Sequence, residues 1–184
     1  NSLMWLLTYF DCTAYYVKDT DGLKRTFEIL PEYLKTRTQK QVNDYRDWGV
    51  PLGRRFRALK LWFVMRTYGA EGLRNFIQGH MDMAAWLTQA VEQHTDFELL
   101  YPTLFNTVCF CYKPTQSLKQ EGLNQLNEQL MHALNDSGKL YLTHTKVDGK
   151  MVLRLVVGSN HASMEHVQQA WATLVTTAES LTVN

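Results

Sequence analysis

Few residues in this chain have the types and spacing that chemistry demands. Cys109 and Cys111 lie two apart in Val108-Cys109-Phe110-Cys111-Tyr112, a spacing that puts both thiols on one face of a strand. A structural zinc site takes four ligands, commonly as two such pairs, and the remaining cysteine is Cys12. The thiols therefore read as buried strand residues. His161 and His166 bracket a helix start and suit a capping or surface role. Arg54, Arg55, Arg57 and Lys60 form the one basic cluster. A guanidinium fork binds phosphate well, but at the start of a helical pattern these charges read first as salt-bridging end groups. Tyr33 sits in a long polar stretch, where a tyrosine ordinarily anchors a loop. There is no P-loop, no dinucleotide-binding glycine fingerprint and no His-Glu-x-x-His motif. No metal site is expected.

The elements that would position these residues are legible from period and punctuation. Trp5 to Phe10 and Ala14 to Val17 are apolar runs that read as two short, mostly buried strands. A domain rarely opens on a buried strand without partners, so their sheet is expected to continue in residues outside this sequence. From Asp19 to Trp48 the pattern is polar and irregular, and a loop of that length is usually functional or disordered. After Pro51 and Gly53 the spacing of Phe56, Leu59 and Phe63, with Trp62 and Met65 beside them, predicts a helix that Gly69 ends. A second helix is predicted from about Glu71 to Glu92, with Leu73, Phe76, Ile77, Ala84, Leu87 and Val91 on one face. Phe97 to Tyr101 and Val108 to Tyr112 read as strands. Leu123, Leu126, Leu130 and Leu134 mark an amphipathic helix stopped at Ser137-Gly138. Leu140 to Lys146 and Met151 to Val157 flank Asp148-Gly149, a hairpin signal. Ser163 caps a last helix that turns Val167, Ala170, Trp171, Leu174, Ala178 and Leu181 inward. The final section is thus β-β-α-β-β-α, an antiparallel sheet covered by helices.

Bulk properties bound the function. Of 184 residues, 45% are hydrophobic and 20% charged, and the net charge is +1. This is a globular composition with no global field toward nucleic acid or an anionic membrane, so neither is expected as a partner. No stretch approaches the ~18 uninterrupted apolar residues of a spanning helix. The low, odd cysteine count fits a reducing compartment, and a cytoplasmic location is expected.

Read as whole strings, the chain is more specific. Trp5-Leu6-Leu7 and Phe10-Asp11-Cys12-Thr13-Ala14 resemble the segment just after the cofactor lysine in group II pyridoxal-phosphate-dependent amino acid decarboxylases. The run from Asp44-Tyr45-Arg46-Asp47-Trp48 through Pro51-Leu52-Gly53-Arg54-Arg55-Phe56 to Lys60-Leu61-Trp62 is similar to that family's most recognisable C-terminal stretch. Tyr68-Gly69, Val152-Leu153-Arg154 and His166-Val167-Gln168-Gln169-Ala170-Trp171 continue the likeness in order, most closely toward the aromatic-amino-acid branch. The resemblance implies part of an α/β fold, the fold type I of pyridoxal-phosphate transferases. Residues 1–59 would be the end of the large cofactor-binding domain with its mobile catalytic loop, and 60–184 the small α+β C-terminal domain. It implies a homodimeric carboxy-lyase that turns an L-amino acid, expected to be aromatic, into its amine and carbon dioxide. It makes Tyr33 the catalytic proton donor and assigns Asn1 and Gly53 to the cofactor-binding region, where a small Gly53 leaves room for a large ring.

The chain departs from the family at its start. The family string is Asn-Pro-His-Lys-Trp, whose lysine holds pyridoxal phosphate; here it is Asn1-Ser2-Leu3-Met4-Trp5. A thioether cannot replace an amine in that bond, so the chain alone is expected to be inactive. The favoured explanation is a shortened chain in which Met4 is the start. The alternative is a non-catalytic paralogue or assembly module that binds a partner chain.

Overall fold

The computed structural model describes residues 7–8, 12–28, 45–51, 53–115 and 118–182. The chain divides into two compact units, Asn1–Thr67 and Tyr68–Asn184.

In the first unit, helix α1 spans Thr20–Phe27. The Asp19 carboxylate starts it by accepting a hydrogen bond from the Gly22 N–H at 2.8 Å. Asp21 in the first turn and Lys24 and Arg25 in the last complement the helix dipole. A single 3-10 turn at Tyr45–Trp48 packs on α1, with Lys24 Nζ 5.3 Å from the centre of the Trp48 ring. The long irregular loop expected from Asp19 to Trp48 therefore contains a capped helix, which its polar composition concealed. The strand expected at Ala14–Val17 is not formed, and Tyr15 and Tyr16 are 78% and 91% exposed. A strand needs a neighbour to take its backbone hydrogen bonds, and none of the described residues supplies one. Of the other expected strand only Leu7 and Thr8 are described, and they form none.

Helix α2 runs Ala58–Gln93 and is interrupted at Gly69 (φ 66°, ψ 178°), a backbone state that glycine takes without the steric cost of a side chain. The two predicted helices are thus segments on either side of that glycine.

The second unit continues with β1 (Phe97–Leu104), β2 (Thr107–Tyr112), α3 (Gln120–Asp136), β3 (Thr143–Val147), β4 (Lys150–Val156) and α4 (Met164–Thr182). The four strands form one antiparallel sheet in the order β1-β2-β4-β3. Along β2, Val108, Phe110 and Tyr112 are buried and alternate with half-buried Thr107, Cys109 and Cys111, the period-2 pattern of a sheet with one face on a core. Phe110, Leu87, Leu130, Leu134, Leu153 and Leu174 are fully enclosed there. The β3–β4 hairpin turns on Asp148 and Gly149, both at positive φ (50° and 75°), as a tight turn matching strand twist requires. The β1–β2 turn is held from outside: Asn106 Nδ2 donates to the Val157 carbonyl at 2.7 Å, and the Val157 N–H donates to the Asn106 carbonyl at 2.9 Å. At the edges, β1 carries Pro102 and two register shifts, and β3 reads Thr-His-Thr-Lys-Val.

Three asparagines of α3 complete the sheet where its ladders stop. Asn124 accepts from the Met151 N–H and donates to the Gly149 carbonyl, each at 2.8 Å. Asn127 accepts from the Tyr112 N–H and donates to the Tyr112 carbonyl, each at 2.7 Å. Asn135 accepts from the Leu142 N–H at 2.7 Å and donates to its carbonyl at 3.0 Å. This explains why β3 starts at Thr143 and not at Leu140. Leu142 has its two backbone groups taken by a side chain and has none left for pairing there. Helix α4 begins where expected, with the His166 N–H donating to Ser163 Oγ at 3.3 Å.

Candidate functional site

Of the residues singled out in the sequence, Tyr33, Asn1 and Met4 lie outside the described residues. Gly53 is described. It is exposed, and a Cβ built on it would meet nothing within 4 Å. Nothing among the described residues therefore demands glycine at 53 for packing. The basic cluster beside it is spread over exposed Arg54 and Arg55 and half-buried Arg57 and Lys60. Near it, Asp47 is buried and takes the Arg46 Nε at 3.3 Å. The Trp48 indole N–H is buried with no hydrogen-bond partner among the described residues.

The two strand cysteines alternate with the buried Val108, Phe110 and Tyr112, so they share a face as expected, and both thiols are half-buried, not buried. Burial, reinforced by Glu98, pushes the Cys111 thiol up to about 11. It stays a thiol at neutral pH, a poor nucleophile and a poor metal ligand. Among the described residues no three His, Cys, Asp or Glu side chains converge to hold a metal. His161 and His166 are exposed at the start of α4, as their surface role required. No helix among the described residues is long and apolar enough to cross a membrane.

One cavity of about 70 Å³ opens at the sheet edge between Glu98, Cys111, Lys113, Asn124 and Lys150. Lys113 Nζ lies 2.6 Å from Glu98 Oε2, and that hydrogen bond raises the ammonium above the ordinary lysine range. A protonated amine does not condense with an aldehyde. Position 4 holds a thioether, which does not fit pyridoxal phosphate's need for an amine, and no chemical step on it is assigned to this chain alone.

The family profile described as the pyridoxal-dependent decarboxylase conserved domain matches residues 1–113. The chain belongs to this family. It is 42% identical over 173 residues to the phenylacetaldehyde synthase of Arabidopsis thaliana, covering 93% of this chain and 35% of that protein. It is 41% identical to tyrosine decarboxylase 2 of Narcissus pseudonarcissus, covering 93% and 34%. Among solved structures, the Oryza sativa TDC with PLP and tryptamine superposes with a TM-score of 0.85 at 38% identity, over 90% of this chain and 35% of that one. The chain spans about a third of the length of the curated relatives it matches. The α/β fold of this family, present here in part, accounts for the antiparallel sheet and its helices, and the family's cofactor is pyridoxal phosphate.

Sequence reasoning missed α1 and the asparagine clamps. The Asp19–Gly22 cap was available as a signal. The clamps leave no local pattern, because each joins residues brought together only by folding.

Proposed function

We propose that this chain is the C-terminal third of a homodimeric, cytoplasmic pyridoxal-phosphate-dependent decarboxylase that converts an aromatic L-amino acid to its amine and carbon dioxide. Residues 1–59 would close its large domain and 60–184 form its small one. The observation that carries the reading is the likeness over 93% of the chain to relatives that include a tyrosine decarboxylase. The cofactor, when bound in the parent, takes up the electrons left by the departing carboxylate. This chain's part is Tyr33, which delivers a proton to the substrate Cα, with Asn1 and Gly53 on the cofactor side. Relatives' names span both aldehyde and amine products, so overall similarity leaves the product open, and the residue at 33 carries the choice of amine.

A second reading rests on Met4: a non-catalytic paralogue that serves a partner chain. The coding sequence upstream of Met4 decides between the two. An open frame encoding the rest of a large domain with its lysine supports the first.

Under either reading the chain by itself is inactive. After incubation with pyridoxal phosphate and borohydride reduction, peptide mapping is expected to find scattered, substoichiometric label on surface lysines and no carbon dioxide release. One lysine labelled stoichiometrically, together with decarboxylation, would sink this expectation.

A further inference from the structure

Helix α1 is too short and too polar to hold itself. None of its eight residues is buried, and its apolar Leu23 and Phe27 are only half-buried. A helix shorter than about 12–15 residues is marginal in water by itself, so α1 depends on what it touches. It packs on the Tyr45–Trp48 turn, and Lys24 marks the contact. The Lys24 carbonyl accepts the Glu28 N–H at 2.8 Å and closes the last turn of α1. Its ammonium stands 5.3 Å from the centre of the Trp48 ring, inside the range of about 6 Å over which a cation is drawn to an indole face. That ring is itself held in place, half-buried and 5.6 Å from the Tyr45 ring.

From this, and resting on the reading of Tyr33 as the proton donor, we infer that Lys24 and Trp48 form a clasp that positions Tyr33. Neither residue touches the reacting atoms in this reading; both act through the chain that carries the phenol. Glu28, directly after α1, precedes Tyr33 by five residues, and Tyr45 follows it by twelve. At about 3.5 Å per residue, Tyr33 can stray no more than about 17 Å from Glu28 and about 40 Å from Tyr45. The short arm from α1 is therefore the one that confines it. While the clasp holds, that arm starts from a point fixed to the turn. Once α1 comes away, the long arm alone limits Tyr33, and its reach encloses a volume roughly tenfold larger. A displacement of about 1 Å can cost a positioned group about 10²-fold in rate, so a looser tether should slow proton delivery.

The test has two arms. In the 184-residue chain, the ring current of Trp48 should shift the Lys24 side-chain methylene protons upfield in the NMR spectrum, and Trp48→Leu should return them to the ordinary lysine position. Unshifted protons, or a shift that survives Trp48→Leu, overturn the clasp. The second arm uses a chimera that joins the part of Oryza sativa TDC preceding the matched region to this chain, with Leu3→His and Met4→Lys. There Lys24→Gln is expected to raise the ratio of aldehyde to amine about 3-fold per carbon dioxide released, and Lys24→Arg, which keeps the cation, should restore the parental ratio. Arg25→Gln removes the neighbouring cation of the same helix turn and should change nothing. A parental ratio in Lys24→Gln, or an equal rise in Arg25→Gln, overturns the proposal, because a merely structural Lys24 would lower melting and leave the products alone. Tyr33→Phe in the same chimera separates the two readings. A parental ratio there counts against Tyr33 as donor; an altered ratio there with none in Lys24→Gln counts against the clasp alone.

Discussion

Tyr33→Phe is expected to change what the enzyme makes without stopping it from releasing carbon dioxide. The variant belongs in a chimera that joins the upstream two-thirds of Oryza sativa TDC to this chain, with Leu3→His and Met4→Lys restoring the family string. Decarboxylation breaks the bond between Cα and the carboxylate and leaves an electron pair that must take a proton if an amine is to form. An ordinary phenol has a pKa of about 10 and keeps its proton at neutral pH, so it can serve as that acid; positioned acids contribute about 10²–10⁴-fold. Phenylalanine fills the same volume without the proton. The electron pair is then open to dioxygen, which accepts two electrons and leaves as hydrogen peroxide, while water releases the aldehyde and ammonia. Amine should fall by about 10²-fold or more relative to carbon dioxide released, with aldehyde, ammonia and peroxide appearing in equal amounts. Amine at the parental rate would show that Tyr33 is not the donor. A tyrosine that only anchors its loop predicts weaker substrate binding and an unchanged product.

Asn127→Ala should be the most destabilising exposure-neutral change in the second unit. The β2–β4 ladder ends at Phe110↔Leu153, and the backbone groups of Tyr112 point past that end into the core. Asn127 is 2% exposed and satisfies both of them at 2.7 Å. Its removal leaves a buried donor and a buried acceptor unpaired at about 1–3 kcal/mol each, so roughly 2–6 kcal/mol in all. Asn124→Ala breaks a similar pair of bonds at a half-exposed position, where water replaces the lost partners, and should cost less than about 1 kcal/mol. Urea unfolding followed by circular dichroism measures both. Equal losses for the two variants would mean that burial is not what sets the cost.

The features legible in the sequence are those fixed by local backbone demands. Gly69 and Asp148-Gly149 take up positive φ at little steric cost, so the helix break and the hairpin turn could be placed in advance. The alternation along β2 announced a strand, but it could not say which set of side chains would be enclosed, and Cys109 and Cys111 fell in the half-buried set. Helix α1 was missed because its residues are too polar to show an apolar stripe, though Asp19 marks its start. The Leu140–Leu142 error has a tertiary cause in the Asn135 clamp. For the candidate site, local physics offered almost nothing. Tyr33 acquired a role only through the resemblance of long ordered strings, and Gly53 stands in open space in the structure, where nothing in its surroundings would have singled it out.

The edges of the sheet have a consequence for how the protein behaves at high concentration. Open strand edges are templates on which further chains can add, the first step toward fibrils. Here β1 is spoiled as a template by Pro102, which has no N–H to offer, and by its two register shifts. Its counterpart at the other side, β3, is five residues long and carries His144 and Lys146. Neither edge presents the long, flat, uncharged strand that fibril growth needs. Precipitates of this protein should therefore be amorphous, lack the cross-β spacing in diffraction and fail to seed fresh solutions.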